Sequence, residues 1–191
     1  MGKLGEIEVA AASIESAQRG DEAAQRVLYT ALAPATFALI HRLVGVRAVA
    51  EDVFQDTMIS VYQHLDTFRG EAPLGAWVRQ IALSKCLMYL RSPWHRARLD
   101  MGAWMDDALP GASPSTLPSP ESFDIERALE CLSPTARAVI WLFEVEGYSH
   151  QEIAQAFGRS VSFSKSQLAR AHERLREWFE PQRERQPCTP V

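Results

Sequence analysis

Between Gly147 and Trp178 the chain reads GYSHQEIAQAFGRSVSFSKSQLARAHERLREW, and side chains able to hold a phosphate or a base edge recur there at helical spacing. Ser162, Lys165, Ser166 and Arg170, flanked by Gln167 and Arg174, fall on the outward side of one helix. Lys, Ser and Gln hold phosphates and fix register, while Arg and Gln carry the donor geometry that matches base edges in a groove. Amides at the start of that helix, near Ser162, add a site for an anion. A helical hairpin with a merely solvated basic face would present the same residues, so this stretch alone leaves both readings open.

A second cluster changes the balance. Between Glu71 and Asp100 the chain holds Arg79, Lys85, Arg91, Arg96 and Arg98 and no acidic residue, and Trp77, Tyr89, Trp94 and His95 interleave. Cations that track a backbone beside rings on which bases stack suit a single-stranded nucleic acid. Core aromatics beneath a solvated basic face are the alternative. Just upstream, Glu51, Asp52 and Asp56 crowd the start of an amphipathic helix, partly complementing its dipole. Asp52, Gln55, Asp56 and Ile59 lie away from the apolar stripe of Phe54, Met58, Val61, Leu65 and Phe68. This mixed acidic and apolar face fits a basic protein partner, with plain solvation as the bland reading.

The elements that must position these residues are helices. Apolar residues return every three or four positions, as at Trp77, Ile81 and Leu87 to Leu90, and almost nothing alternates with period two, so an all-α protein is expected. Between residues 101 and 121 the periodicity stops in favour of ALPGASPSTLPSP with Asp106 and Asp107, an acidic linker rich in Pro and Ser. Two small helical domains on a flexible tether follow. Downstream, Ser122 is placed to cap a short helix holding Ile125 and Leu129, and Ser133 with Pro134 opens a second that Gly147 closes. Ser149 and Glu152 form the spacing of a capping box for a third. After Gly158 a last helix runs to about Phe179 with Leu168, Ala171, Leu175 and Trp178 on one side, and PQRERQPCTPV reads as a frayed tail. A helix, a tight turn and a second, basic helix make a helix-turn-helix.

Composition narrows the class further. With 191 residues, 47% apolar and 23% charged, the chain is ordinary for a folded protein of one to two domains, and its net charge of -4 hides a segregation of basic and acidic surfaces. No apolar run approaches the roughly 20 residues that span a bilayer, and neither a secretory nor a myristoylation signal is expected at the N-terminus. Cys86, Cys131 and Cys188 fit neither a disulfide frame nor a metal knuckle, the five histidines are scattered, and no nucleotide loop or catalytic constellation stands out. No cofactor, no metal and no enzymatic activity are expected, and the cytoplasm is the expected compartment.

The order of these parts resembles the extracytoplasmic-function sigma factors of bacterial RNA polymerase. AEDVFQDTMISVYQHLDTFRGEAPLGAWVRQIALSKCLMYLR is similar to the family's region two, and LSPTARAVIWLFEVEGYSHQEIAQAFGRSVSFSKSQLARAHERLR to its region four. The resemblance implies an N-terminal extension over 1–20, a region-two domain over 21–100, the linker over 101–121, a region-four domain over 122–180 and a tail over 181–191. It implies that Asp52, Gln55, Asp56 and Ile59 sit against the clamp helices of the polymerase largest subunit, with region four at the flap. Phe68, Arg69, Gly70 and Glu71 would form the loop receiving a base flipped from the minus-ten element, and Trp77, Ser84, Lys85 and Arg91 would flank that strand. Ser162, Lys165, Ser166, Gln167, Arg170 and Arg174 would meet the minus-thirty-five element, and an anti-sigma factor is a possible further partner. Ser84 stands where Asn is common, Met88 where Asp is, Gln167 where Arg is, Ser164 where Val is, and Arg159 where an apolar residue is usual. The rivals are a stand-alone helix-turn-helix regulator, a small helical enzyme, and a sigma-like protein that only titrates a partner.

Overall fold

Asp21 opens the longest helix of the N-terminal half by accepting the Ala24 amide on its side chain at 2.9 Å. The computed structural model describes residues 4–92, 125 and 127–183. Every regular element among them is helical. A 3-10 turn, Leu4–Glu6, leads to α1 (Ala11–Gln18), α2 (Glu22–Val44) and α3 (Arg47–Gln63), then a second 3-10 turn, Leu65–Thr67, and α4 (Leu74–Arg91). Helical residues 127–130 precede α5 (Pro134–Ile140), which continues as a π turn over Trp141–Val145; α6 (His150–Phe157) and α7 (Val161–Arg183) complete the chain. The chain divides into two units, Met1–Tyr89 and Leu90–Val191.

The first unit is built on α2 and α3. Leu28, Leu32, Thr36, Leu39, Ile40 and Leu43 recur at three and four residues and are buried, as are Ala50, Val53, Thr57 and Val61 of α3. Each fully buried leucine or isoleucine contributes about 1.5–3 kcal/mol. The two buried threonines cost little, because Thr36 and Thr57 donate to the carbonyls of Leu32 and Val53, four residues back, at 2.8 and 2.7 Å. Helix α2 spans 23 residues and contains an 18-residue stretch of mean hydropathy 1.4, long and apolar enough by composition to cross a membrane. Its buried stripe instead forms the centre of this core, the other role open to such a helix. The sequence reading had no apolar run near that length, because Glu22, Arg26 and Arg42 interrupt the pattern at the ends.

Two stripes expected from periodicity shift. In α4 the buried residues are Leu74, Gly75, Val78, Ala82, Leu83, Cys86 and, as expected, Leu90, whereas Trp77, Ile81 and Leu87 are half-buried and Met88 is 59% exposed. Phe54, expected in the core stripe of α3, is half-buried and packs its ring edge-on to Tyr29 and Phe37 at 6.3 and 5.8 Å. Residues 4–20 fold onto the same unit: Leu4 and Ala17 are buried, and the Gly75 amide donates to the Ile7 carbonyl at 3.1 Å.

In the second unit Ser133 caps α5 by accepting the Ala136 amide at 3.3 Å, with Pro134 in the first turn where its missing N–H costs nothing. The expected capping box is formed in full: Ser149 accepts the Glu152 amide and Glu152 accepts the Ser149 amide, at 3.2 and 2.8 Å. The Ser149 hydroxyl, donating to Glu152 Oε2 at 2.7 Å, and the Ser149 amide, donating to the same oxygen, hold the Glu152 carboxyl below its ordinary value. Gly158 ends α6 at φ 60°, a left-handed conformation that glycine adopts without steric penalty. The last helix runs to Arg183, past Phe179 and through Pro181, so part of the expected frayed tail is helical. The linker over 101–121, Trp94, His95, Arg96, Arg98, the cap at Ser122, Cys188 and the residues after 183 lie outside the described residues.

Candidate nucleic-acid interface

On α3, Asp52, Gln55, Asp56 and Ile59 are all exposed, Ile59 at 53%. Their spacing of three and four places them on one side of the helix, opposite the buried Ala50, Val53, Thr57 and Val61. Glu51 is held by Arg47, Nε to Oε1 at 2.9 Å, and so stands apart from that face. Among the described residues, nothing covers these two carboxylates and the apolar side chain beside them.

The turn after α3 and the first turns of α4 enclose a cleft of about 390 Å³, lined by Thr67, Phe68, Arg69, Glu71, Ala72, Ala76, Trp77, Arg79 and Gln80. That volume lies at the small end of ligand pockets. Phe68 and Trp77 face each other with ring centroids 5.5 Å apart, both half-buried, so an apolar wall of two rings meets solvent. Glu71 offers acceptors and Arg69 donors at the rim, both exposed. Phe68, Arg69 and Glu71, expected in one loop, thus line one cleft together with Trp77. Gly70 lies in the same loop at φ 74°.

Ser84 and Arg91 are exposed on the α4 side that carries Trp77, seven and fourteen residues on, while Lys85 is half-buried one step around the helix. Arg79 departs from this side. Its chain runs beside Gly5, where a Cβ would meet Cδ and Nε at 3.7 Å, and it also lines the cleft.

In the second unit, α6 and α7 pack through Ile153, Ala154 and Phe157 against Ser164, Leu168 and Ala171. Phe163 reaches Phe157 at 5.8 Å and joins this packing, whereas Val161 is 41% exposed. The opposite side of α7 carries Ser162, Lys165, Ser166, Arg170 and Arg174 exposed, with Gln167 half-buried at its edge. Arg174 pairs with Glu177 at 3.0 Å, but both are mostly exposed, and such a pair is worth about 0.2–1 kcal/mol, weak enough to yield to a phosphate. Arg159, in the turn, lies 5.9 Å over the Phe163 ring and projects into solvent.

Sequence reasoning missed how α7 is seated. Ser164, where an apolar residue would pack, is fully buried and shares a 3.0 Å hydrogen bond with His150 Nδ1, and the His150 ring stacks on Phe143 at 4.5 Å. The histidine therefore satisfies the buried hydroxyl. Only the pairing of Ser164 with an otherwise unexplained histidine at the capping box hinted at it. Gln80, on the wall of the cleft, carried no signal at all.

These surfaces coincide with two family models. Sigma-70 region 2 matches residues 28–96 and Sigma-70 region 4 matches residues 122–175, in that order and over about two thirds of the chain. The chain belongs to the sigma-70 family, within its extracytoplasmic-function group. Among curated relatives, the ECF RNA polymerase sigma factor SigM of Mycobacterium tuberculosis is 32% identical over 126 residues, 66% of this chain and 62% of that protein. The ECF RNA polymerase sigma-E factor of Escherichia coli K12 is 28% identical over 178 residues, 88% of this chain and 93% of that one. The match thus spans under two thirds of SigM and nearly the whole of sigma-E. Among solved structures, the sigma factor RpoE in complex with the anti-sigma factor NepR from Bartonella quintana is similar over 81% of this chain and 96% of that chain, with 25% identity and a TM-score of 0.49.

Proposed function

We propose that the chain is an initiation factor that docks on core RNA polymerase, reads a minus-thirty-five element with α7 and a minus-ten element with the α4 cleft, and nucleates strand opening. The observation that carries this reading is the joint match of regions 2 and 4 in one chain, each bearing an exposed surface of the required chemistry. A stand-alone helix-turn-helix regulator accounts for region 4 and leaves region 2 without a role. Asp52, Gln55, Asp56 and Ile59 are assigned to the polymerase clamp, and the region-four domain to its flap. Phe68, Arg69, Gly70, Glu71 and Trp77 are assigned to a flipped base, with Ser84, Lys85 and Arg91 along the separated strand. Lys165, Ser166, Gln167 and Arg170 are assigned to the duplex upstream, Ser162 and Arg174 to its phosphates.

Energetics divide the labour. Opening about ten base pairs costs on the order of 14 kcal/mol at roughly 1.4 kcal/mol per step. One stacked base returns only about 1–3 kcal/mol. The chain therefore selects and starts the bubble, the polymerase holds it open and performs the chemistry, and the chain itself catalyses no reaction. Its place of work is then the cytoplasm, and an anti-sigma factor would act by covering the acidic and basic faces.

Run-off transcription with purified core polymerase and genomic fragments tests the proposal. Discrete, factor-dependent transcripts are expected, and their start points give the promoter sequence. Factor-dependent transcription that never rises above core polymerase alone would reject it.

A further inference from the structure

The segment ahead of the region-2 match touches both walls of the cleft. Gln18, the last residue of α1, donates its side-chain amide to the carbonyls of Leu65 and Phe68 at 2.9 and 3.1 Å, across 47 and 50 residues of chain. Those carbonyls belong to the turn that carries Phe68 and leads into the loop of Arg69 and Glu71. On the other wall, Leu4–Ile7 lies directly on the first turn of α4. The Gly75 amide donates to the Ile7 carbonyl at 3.1 Å, and a Cβ on Gly75 would collide with the Leu4 carbonyl oxygen and stand 3.0 Å from Ile7 Cβ. Glycine is required there by closeness of approach. One turn further along α4, Arg79 runs beside Gly5 into the cleft.

We infer that residues 4–18 are a brace that sets the separation of Phe68 from Trp77 and aims Arg79, with Gln18 and Gly75 as its positioning residues. Neither residue lines the cleft. A flexible loop and a helix end would otherwise have to be ordered by the incoming strand, and that ordering would subtract from its affinity; a wall already held in place binds without the loss. The short run Leu4–Ile7 is anchored by burial of Leu4 and by the Gly75 contact, so its position is tied to α4 and not to solvent.

This inference rests on the proposed strand-binding role, and one experiment separates the two. Full-length wild type, Gln18→Met and Gly75→Ala are each assembled with core polymerase and titrated with a promoter fork whose minus-ten segment is single-stranded. Met keeps the length of Gln18 and removes its two donated hydrogen bonds. Affinity for the fork is expected to fall about tenfold in each variant, while affinity for polymerase through the α3 face stays within about twofold. Amide exchange is expected to quicken over residues 65–72 and not in α2. A global defect would lower polymerase binding in parallel, so the split identifies positioning. Should Gly75→Ala lose helical circular dichroism, Gln18→Met, a single amide at a half-buried position, decides. Wild-type holoenzyme that binds the fork together with a Gln18→Met variant of unchanged fork affinity overturns the brace alone. Wild type that binds the fork no better than core polymerase does rejects the sigma reading, and the brace falls with it as a strand-positioning device.

Discussion

Arg170 stands exposed in the middle of the outer side of α7, between Ser166 and Arg174, and its fork of donors is the side chain there best matched to a guanine edge. Arg170→Ala is expected to lose about 1–3 kcal/mol of discrimination at one base pair of the upstream element. Competition binding by the holoenzyme against promoters varied at single positions measures it, and helicity should not change. Unaltered preference at every position would remove Arg170 from the interface. Glu152 sets a pH dependence for the same unit. Its hydrogen bonds to Ser149 lower the carboxyl below its ordinary value of 4.5, so the stability it contributes is present above that value. The contribution disappears as pH falls through the lowered folded value. Acid titration of the α6 amide exchange should therefore show protection falling below about pH 4.5, with that step absent in Glu152→Gln. A step that persists in the variant would assign it to another carboxylate.

Helix α3 has a buried side in the core and an exposed side assigned above to polymerase. Asp52→Lys with Asp56→Lys reverses both exposed carboxylates and leaves Val53, Thr57 and Val61 in the core. Charge reversal at a complementary interface costs several kcal/mol, so co-purification with polymerase should be lost while helical content is retained. Normal co-purification would reject this face. The seating of α7 is a matter for the same level of structure. His150→Ala would leave the fully buried Ser164 hydroxyl without its partner and remove the stack on Phe143, costing about 1–3 kcal/mol. Faster amide exchange across α6 and α7, with α2 and α3 unchanged, would register that loss locally. The expected helices, their caps at Ser133 and Ser149 and the left-handed turn at Gly158 were legible because each depends on neighbours within one or two turns. The buried side of α4 was not, since Trp77 and Ile81 have the spacing of a core stripe and only packing reveals that Val78, Ala82 and Cys86 face inward. Burial there pushes the Cys86 thiol up to about 12 and leaves it inert.

Over the whole molecule, net charge of -4 coexists with a basic α7 and a carboxylate face on α3. Phosphate contacts dominate DNA affinity, so the free chain is expected to bind promoter duplex weakly and with little sequence preference, and polymerase is expected to raise both. Electrophoretic shift with and without polymerase measures the difference. Tight, specific binding by the free chain would contradict the assigned dependence. The sequence by itself determined the helical class, the helix-turn-helix, the order of the two family regions and the identity of the exposed residues on α3 and α7, because these follow from local spacing and from side-chain chemistry. Tertiary structure alone decided that Phe68 and Trp77 close on one cleft, that Gln18 and Leu4 reach its walls, and that His150 satisfies Ser164. Periodicity ranks the sides of a single helix; it carries no information about which remote backbone carbonyl or ring will meet them, and those contacts arise only when the chain is packed.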